Sequence, residues 1–91
     1  MRLNPRHSKA MNNLAAVHIV RGDYDEAIEA LERTLELEPE NVNAYKNLGI
    51  SHYHKGRLAQ SRKMFETVLE IRPGDNFAVQ WLKRLDQEAR E

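Results

Sequence analysis

The sequence predicts an all-α protein built as a stack of helix–turn–helix units. Three observations predict it: a period of 34 residues, a glycine in the middle of each period and a proline near its end. Pro5, Pro39 and Pro73 are 34 residues apart, as are Gly22 and Gly56. Aligned without gaps, residues 8–41 and 42–75 share nine identical positions, among them Ala10/Ala44, Asn13/Asn47, Leu14/Leu48, His18/His52 and Leu35/Leu69. Chance gives roughly two or three for ordinary composition. Self-similarity at this period marks supersecondary units that bury their apolar faces by stacking.

Each element follows in order. In residues 8–21, Ala10, Leu14, Val17 and Arg21 keep helical spacing, with Met11 and His18 beside them. Gly22 can adopt the left-handed conformation that ends a helix. Asp23 and Glu26 form a capping box for a second helix over 24–37, whose stripe is Ala27, Leu31 and Leu35 with Ile28 and Leu37. Pro39 stops it. The second unit repeats the plan over 42–55 and 58–71, closed by Pro73. Arg57 stands where Asp23 stood, so the fourth helix is expected to start more loosely, by about 1 kcal/mol of lost capping. A fifth helix is expected over 76–90, with Ala78, Leu82 and Leu85 as its stripe. Lys83 and Asp86 replace the small residue and the histidine of the earlier units. They give this helix the polar outer face that a terminal cap requires. Leu3 and Pro5 echo Leu37 and Pro39, so residues 1–7 read either as the tail of a preceding unit or as a disordered leader.

Composition narrows the function. The 91 residues make one small domain, 41% apolar and 31% charged, with fourteen basic side chains against fourteen acidic ones. A chain of this size has a thin core, and its composition is globular rather than disordered. A phosphate-binding surface shows as net basicity or a basic stripe. The basic clusters Arg62-Lys63 and Lys83-Arg84 are short, and nucleic acid is not an expected partner. Without cysteine there are no disulfides and no thiolate metal sites. No run approaches the length of a membrane span, so no membrane partner is expected. The start Met1-Arg2-Leu3-Asn4-Pro5 lacks the apolar core of a secretory signal. A cytoplasmic location is the expectation.

Chemistry is sought in the four histidines. His18 and His52 occupy equivalent positions and read as partly buried packing residues. His52 and His54 are two apart on one helix and point different ways. No cysteine or paired carboxylate completes a metal-ligand set. There is no phosphate-cradling glycine loop and no nucleophile elbow. Glu36 and Glu38 belong to a charged, solvated face. No cofactor, metal or catalytic residue is expected, and the chain is not expected to be an enzyme.

A 34-residue helix–turn–helix with this pattern resembles the tetratricopeptide repeat, TPR. The matching residues run Met11, Leu14, Ala15, His18, Gly22, Ala27, Leu31, Pro39, then Tyr45, Leu48, Gly49, His52, Gly56, Ser61, Phe65, Pro73. The family's usual tryptophan is replaced by Met11 and Tyr45, and its usual tyrosine by His18 and His52; both changes keep bulk. Ala15 or Gly49 faces Ala27 or Ser61 across each hairpin, where small side chains let backbones approach. The resemblance implies a right-handed α-α superhelix: TPR units at 8–41 and 42–75, a C-terminal capping helix at 76–91, and the short leader 1–7.

The resemblance also implies a protein-interaction module whose first helices line a concave groove for a peptide or protein segment. Carried onto this chain, the groove takes Lys9, Asn12, Asn13, Ala16, Ile19 and Val20 from the first unit. The second gives Asn43, Lys46, Asn47, Ile50, Tyr53 and His54, and the cap gives Phe77, Gln80, Trp81 and Arg84. Asn13 and Asn47 are the sharpest pair, since an amide side chain both donates and accepts toward an extended backbone. Some relatives clamp acidic C-termini of chaperones with Lys, Asn and Arg. Here Asn47 fits that clamp, but Asn12, Ala16, Phe77 and Trp81 depart from it, so that ligand is not expected. Phe77 and Trp81 serve either as anchors or as the seal of the cap. The alternative function is a structural piece that self-associates through residues 1–20, where Met11, Ala10, Leu14 and Val17 face an absent preceding helix.

Overall fold

The computed structural model describes residues 5–90, which form five helices and, among the described residues, no strand. They are α1 (Pro5–Arg21), α2 (Tyr24–Leu37), α3 (Val42–His54), α4 (Leu58–Ile71) and α5 (Asn76–Ala89). The expected bounds of α2 and α4 are met, and α3 and α5 each end one residue early. The first helix begins at Pro5 rather than at residue 8. Residues 5–7, expected to echo a preceding unit, thus form the first turn of α1, a place that suits a residue without an N–H. Residues 1–4 of that expected leader lie outside the described residues.

Helices α1 and α2 pack as one hairpin and α3 and α4 as another; α2 against α3 and α4 against α5 join them. Ala15, Ala27, Leu31, Ala44 and Leu48 form the first core cluster. Val42, Phe65, Val68, Ala78 and Leu85 form the second. Each cluster draws on three consecutive helices, so neither unit completes its core alone. The expected small-residue contacts are present. Ala15 and Ala27 are fully buried. Ser61 Oγ donates to the Gly49 carbonyl at 2.8 Å. A Cβ on Gly49 would stand 2.5 Å from Phe65 Cζ, so the helix must have glycine there to lie against that ring.

The helix ends correct the sequence reading. Asp23 makes no side-chain capping bond, and neither does Arg57. Both starts are held by the preceding backbone instead. Gly22 and Gly56 have φ of 83° and 78°. Asp23 N–H donates to His18 O at 2.8 Å and Arg57 N–H to His52 O at 2.9 Å, closing the same left-handed turn in each unit. The backbone turn is the same in both units, and since Asp23 makes no capping bond, the expected loss of a cap at Arg57 does not arise. The side-chain caps lie elsewhere. Asn41 accepts from Ala44 N–H at 2.9 Å and Asp75 from Ala78 N–H at 3.0 Å, at the starts of α3 and α5.

Candidate functional site

Residues at i, i+4, i+7 and i+11 share one face of a helix. On α1 that face is Lys9, Asn13, Ala16 and Val20, and all four are exposed. Val20 is 88% exposed and lines a shallow apolar depression with Ala16, Val17 and Arg21. On α3 the equivalent face is Asn43, Asn47, Ile50 and His54, with Asn47 and Ile50 half-buried. On α5 it is Phe77, Trp81, Arg84 and Glu88.

Two expected groove residues are braces between units. Asn12 is buried, and its Nδ2 donates to Asn41 Oδ1 at 3.1 Å, the atom that caps α3. One period later, Lys46 Nζ stands 3.0 Å from Asp75 Oδ2 while Asp75 Oδ1 caps α5. A first-helix side chain therefore holds the cap of the next first helix in both units, once by neutral and once by ionic bonds. Asn12 is removed from the expected groove; Lys46 remains at its edge, 5.2 Å from the centre of the Phe77 ring. Ile19 packs against the first core cluster, and Ile50 and Tyr53 against the second. Asn13 and Asn47, by contrast, make no side-chain hydrogen bond among the described residues.

An aromatic cluster closes the end of the face. Trp81 stacks on Phe65 at 5.3 Å and meets Tyr53 edge-on at 5.0 Å. It therefore packs against the second unit, while Gln80, Lys83, Arg84 and Gln87 form an open shelf around it. The Arg84 guanidinium lies 5.1 Å from both the Tyr53 and Trp81 rings, a favourable seat for a cation. Tyr53 donates its hydroxyl to Glu88 at 2.5 Å, and that bond, more than burial, raises the phenol above its usual pKa. His54 is exposed and stacks on Tyr24 at 5.0 Å, joining α3 to α2. The other pair of histidines behaves as packing. His52 is 8% exposed, and burial, aided by Arg57, pushes its pKa down. Among the described residues no group of three or more His, Cys, Asp or Glu could hold a metal, and no helix is long and apolar enough to cross a membrane.

Charge is sorted by helix, a signal the net balance concealed. Residues 1–22 hold four basic side chains and no acidic one, and 42–64 hold five basic and no acidic. Between them, 23–41 hold eight acidic side chains and Arg33. Helices α1 and α3, which carry the candidate face, thus contain no carboxylate. A segment-by-segment charge count finds this directly in the sequence.

A family model described as Tetratricopeptide repeat matches residues 6–74. The chain belongs to the tetratricopeptide repeat family. Solved TPR structures agree with the fold. The second TPR domain of human RPAP3, in complex with the HSP70 peptide SGPTIEEVD, is 25% identical with a TM-score of 0.82, covering 87% of this chain and 66% of that one. The TPR domain of Arabidopsis OM64 is 21% identical with a TM-score of 0.84, covering 88% and 66%. The first TPR of Spaghetti (RPAP3), bound to the HSP90 peptide SRMEEVD, is 16% identical with a TM-score of 0.61, covering 97% of both chains. This TPR chain spans just under two thirds of the first two domains it matches. A search of the curated proteins returns no match.

Proposed function

We propose that this TPR chain is a protein-interaction module that holds an extended, neutral or acidic protein segment along the face of α1, α3 and α5. The observation that carries the reading is the contrast within two adjacent pairs. Asn12 and Lys46 are spent on braces between units, whereas Asn13 and Asn47, the next residues, keep their amides unspent. Val20, Ile50, Tyr53 and Trp81 supply apolar surface beside them, and rigid aromatic anchors favour interfaces. The missing carboxylates on α1 and α3 favour acidic over basic ligands through complementary potential.

The RPAP3 domain that is 25% identical binds an acidic chaperone peptide. In this chain Ala16, Phe77 and Trp81 stand where such a clamp needs polar or cationic groups, so the segment held here is a different one. Display selection on the intact chain tests the reading. Recovered sequences should be neutral or acidic and should lose binding to the Asn13→Ala, Asn47→Ala variant. Enrichment of Lys- and Arg-rich sequences would overturn it.

A second reading, assembly of two copies through α1, is favoured by a pair of equivalent leucines. Leu48 is 3% exposed beneath α2, whereas Leu14 is 51% exposed with Val17 at 47% beside it. Apolar surface of this kind is available to a second copy of the chain.

A further inference from the structure

Away from the candidate groove, α2, α3 and α4 enclose a cleft of about 510 Å³. Its floor is apolar, with Ile28, Leu35, Leu48 and Met64, and its volume is that of a small-ligand or side-chain pocket. Its rim carries Arg57 and Lys63, neither of which forms an ion pair among the described residues, facing Glu32 on the other wall.

The rim cations make no direct ion pair among the described residues, although Arg57 acts at a distance on Asp25 of α2 and helps Lys55 to hold that carboxyl below its usual range. In the first unit the equivalent positions are Asp23, Glu26 and Glu29, where this unit has Arg57, Gln60 and Lys63. The backbone turn is the same in both units, so the fold accepts either charge. Arg57 also precedes α4 at its N-terminus, makes no capping bond, and is followed by no acidic residue in the first turn. A cation at that end of a helix opposes the macrodipole. Neither the turn nor a cap requires this reversal of charge, and it leaves two cations beside an apolar floor. His52 forms the back wall. Its Nδ1 is buried with no hydrogen-bond partner among the described residues, and burial, then Arg57, lower its pKa, which disfavours a charge there.

We infer that this cleft is a second docking site, independent of the groove, for a partner protein segment that presents an apolar side chain beside a carboxylate. The apolar side chain would lie on Ile28, Leu35 and Met64, and the carboxylate would meet Arg57 and Lys63. Occupation of both surfaces would let one chain of this size bridge two segments.

The test uses the blocked dipeptides acetyl-Phe-Glu-amide and acetyl-Phe-Gln-amide, titrated into the intact chain and followed by amide chemical shifts. The glutamate probe should give saturable shifts at His52, Gln60, Lys63 and Met64, at least tenfold tighter than the glutamine probe. Arg57→Glu with Lys63→Glu should abolish those shifts without lowering the melting temperature, since an acid at residue 57 suits the start of α4. A melting temperature that falls would show the cations to be structural and overturn the inference. So would shifts confined to Asn47, Tyr53 and Trp81, or no saturable shift with either probe.

Discussion

Lys46 Nζ lies 3.0 Å from Asp75 Oδ2, and the other oxygen of the same carboxylate caps α5 through Ala78 N–H. One side chain thus starts a helix and ties it to the preceding unit. The carboxyl is held below the usual aspartate range, first by the Ala78 N–H and then by Lys46. A depressed folded pKa contributes stability that is complete above the unfolded value, near 3.8, and is lost as pH falls through the folded one. Asp75→Asn keeps a capping oxygen and removes the charge. It should melt below the parent at neutral pH, and the gap should close as pH falls below about 4. A gap unchanged in acid would contradict the ionic brace.

The neutral counterpart gives a second prediction. Asn41 Oδ1 receives both Ala44 N–H and Asn12 Nδ2. Asn41→Ala removes the cap, worth about 1 kcal/mol, and leaves the buried Asn12 amide without that acceptor, worth about 1–3 kcal/mol. Urea unfolding should show a loss of about 2 kcal/mol or more. A change within experimental error would mean that neither bond matters.

Gly49 should not tolerate a methyl group. Alanine gains about 1 kcal/mol of helix propensity, but its Cβ would sit 2.5 Å from Phe65 Cζ, and overpacking costs about 1–3 kcal/mol. Gly49→Ala is expected to destabilise. Pairing it with Phe65→Leu should recover part of the loss, and the two changes should be non-additive because they share one contact.

The fold was legible because period, glycine turns and apolar stripes all describe the same two hairpins. The small contact of Gly49 with Ser61 and the packing of His52 were legible for the same reason. The caps were not. Asp23 and Glu26 match the capping pattern, yet the turn at Gly22 gives Asp23 N–H to the His18 carbonyl, so Glu26 has no free N–H to reach back to. Asn41 and Asp75, the actual caps, share a position one period apart without being identical. Groove membership was partly legible. Helical spacing places Asn12 and Asn13 side by side, but only the position of the next unit decides that Asn12 is buried and bonded while Asn13 is exposed.

Self-association has its own measurement. If two copies meet through α1, sedimentation should show concentration-dependent association, and Met11→Glu should shift the population to monomer by placing an unpaired charge in the contact. A monomer at every concentration, unchanged by Met11→Glu, ends that reading.

The most direct test of the interaction groove is amide chemical-shift mapping with a peptide recovered by display selection. The account predicts shifts at Asn13, Ala16, Asn47, Ile50 and Trp81. It also predicts that the Asn13→Ala, Asn47→Ala variant keeps its melting temperature but binds about 30-fold more weakly, from two hydrogen bonds of about 1 kcal/mol each. Shifts that avoid α1 and α3, or undiminished affinity in the double variant, would contradict it.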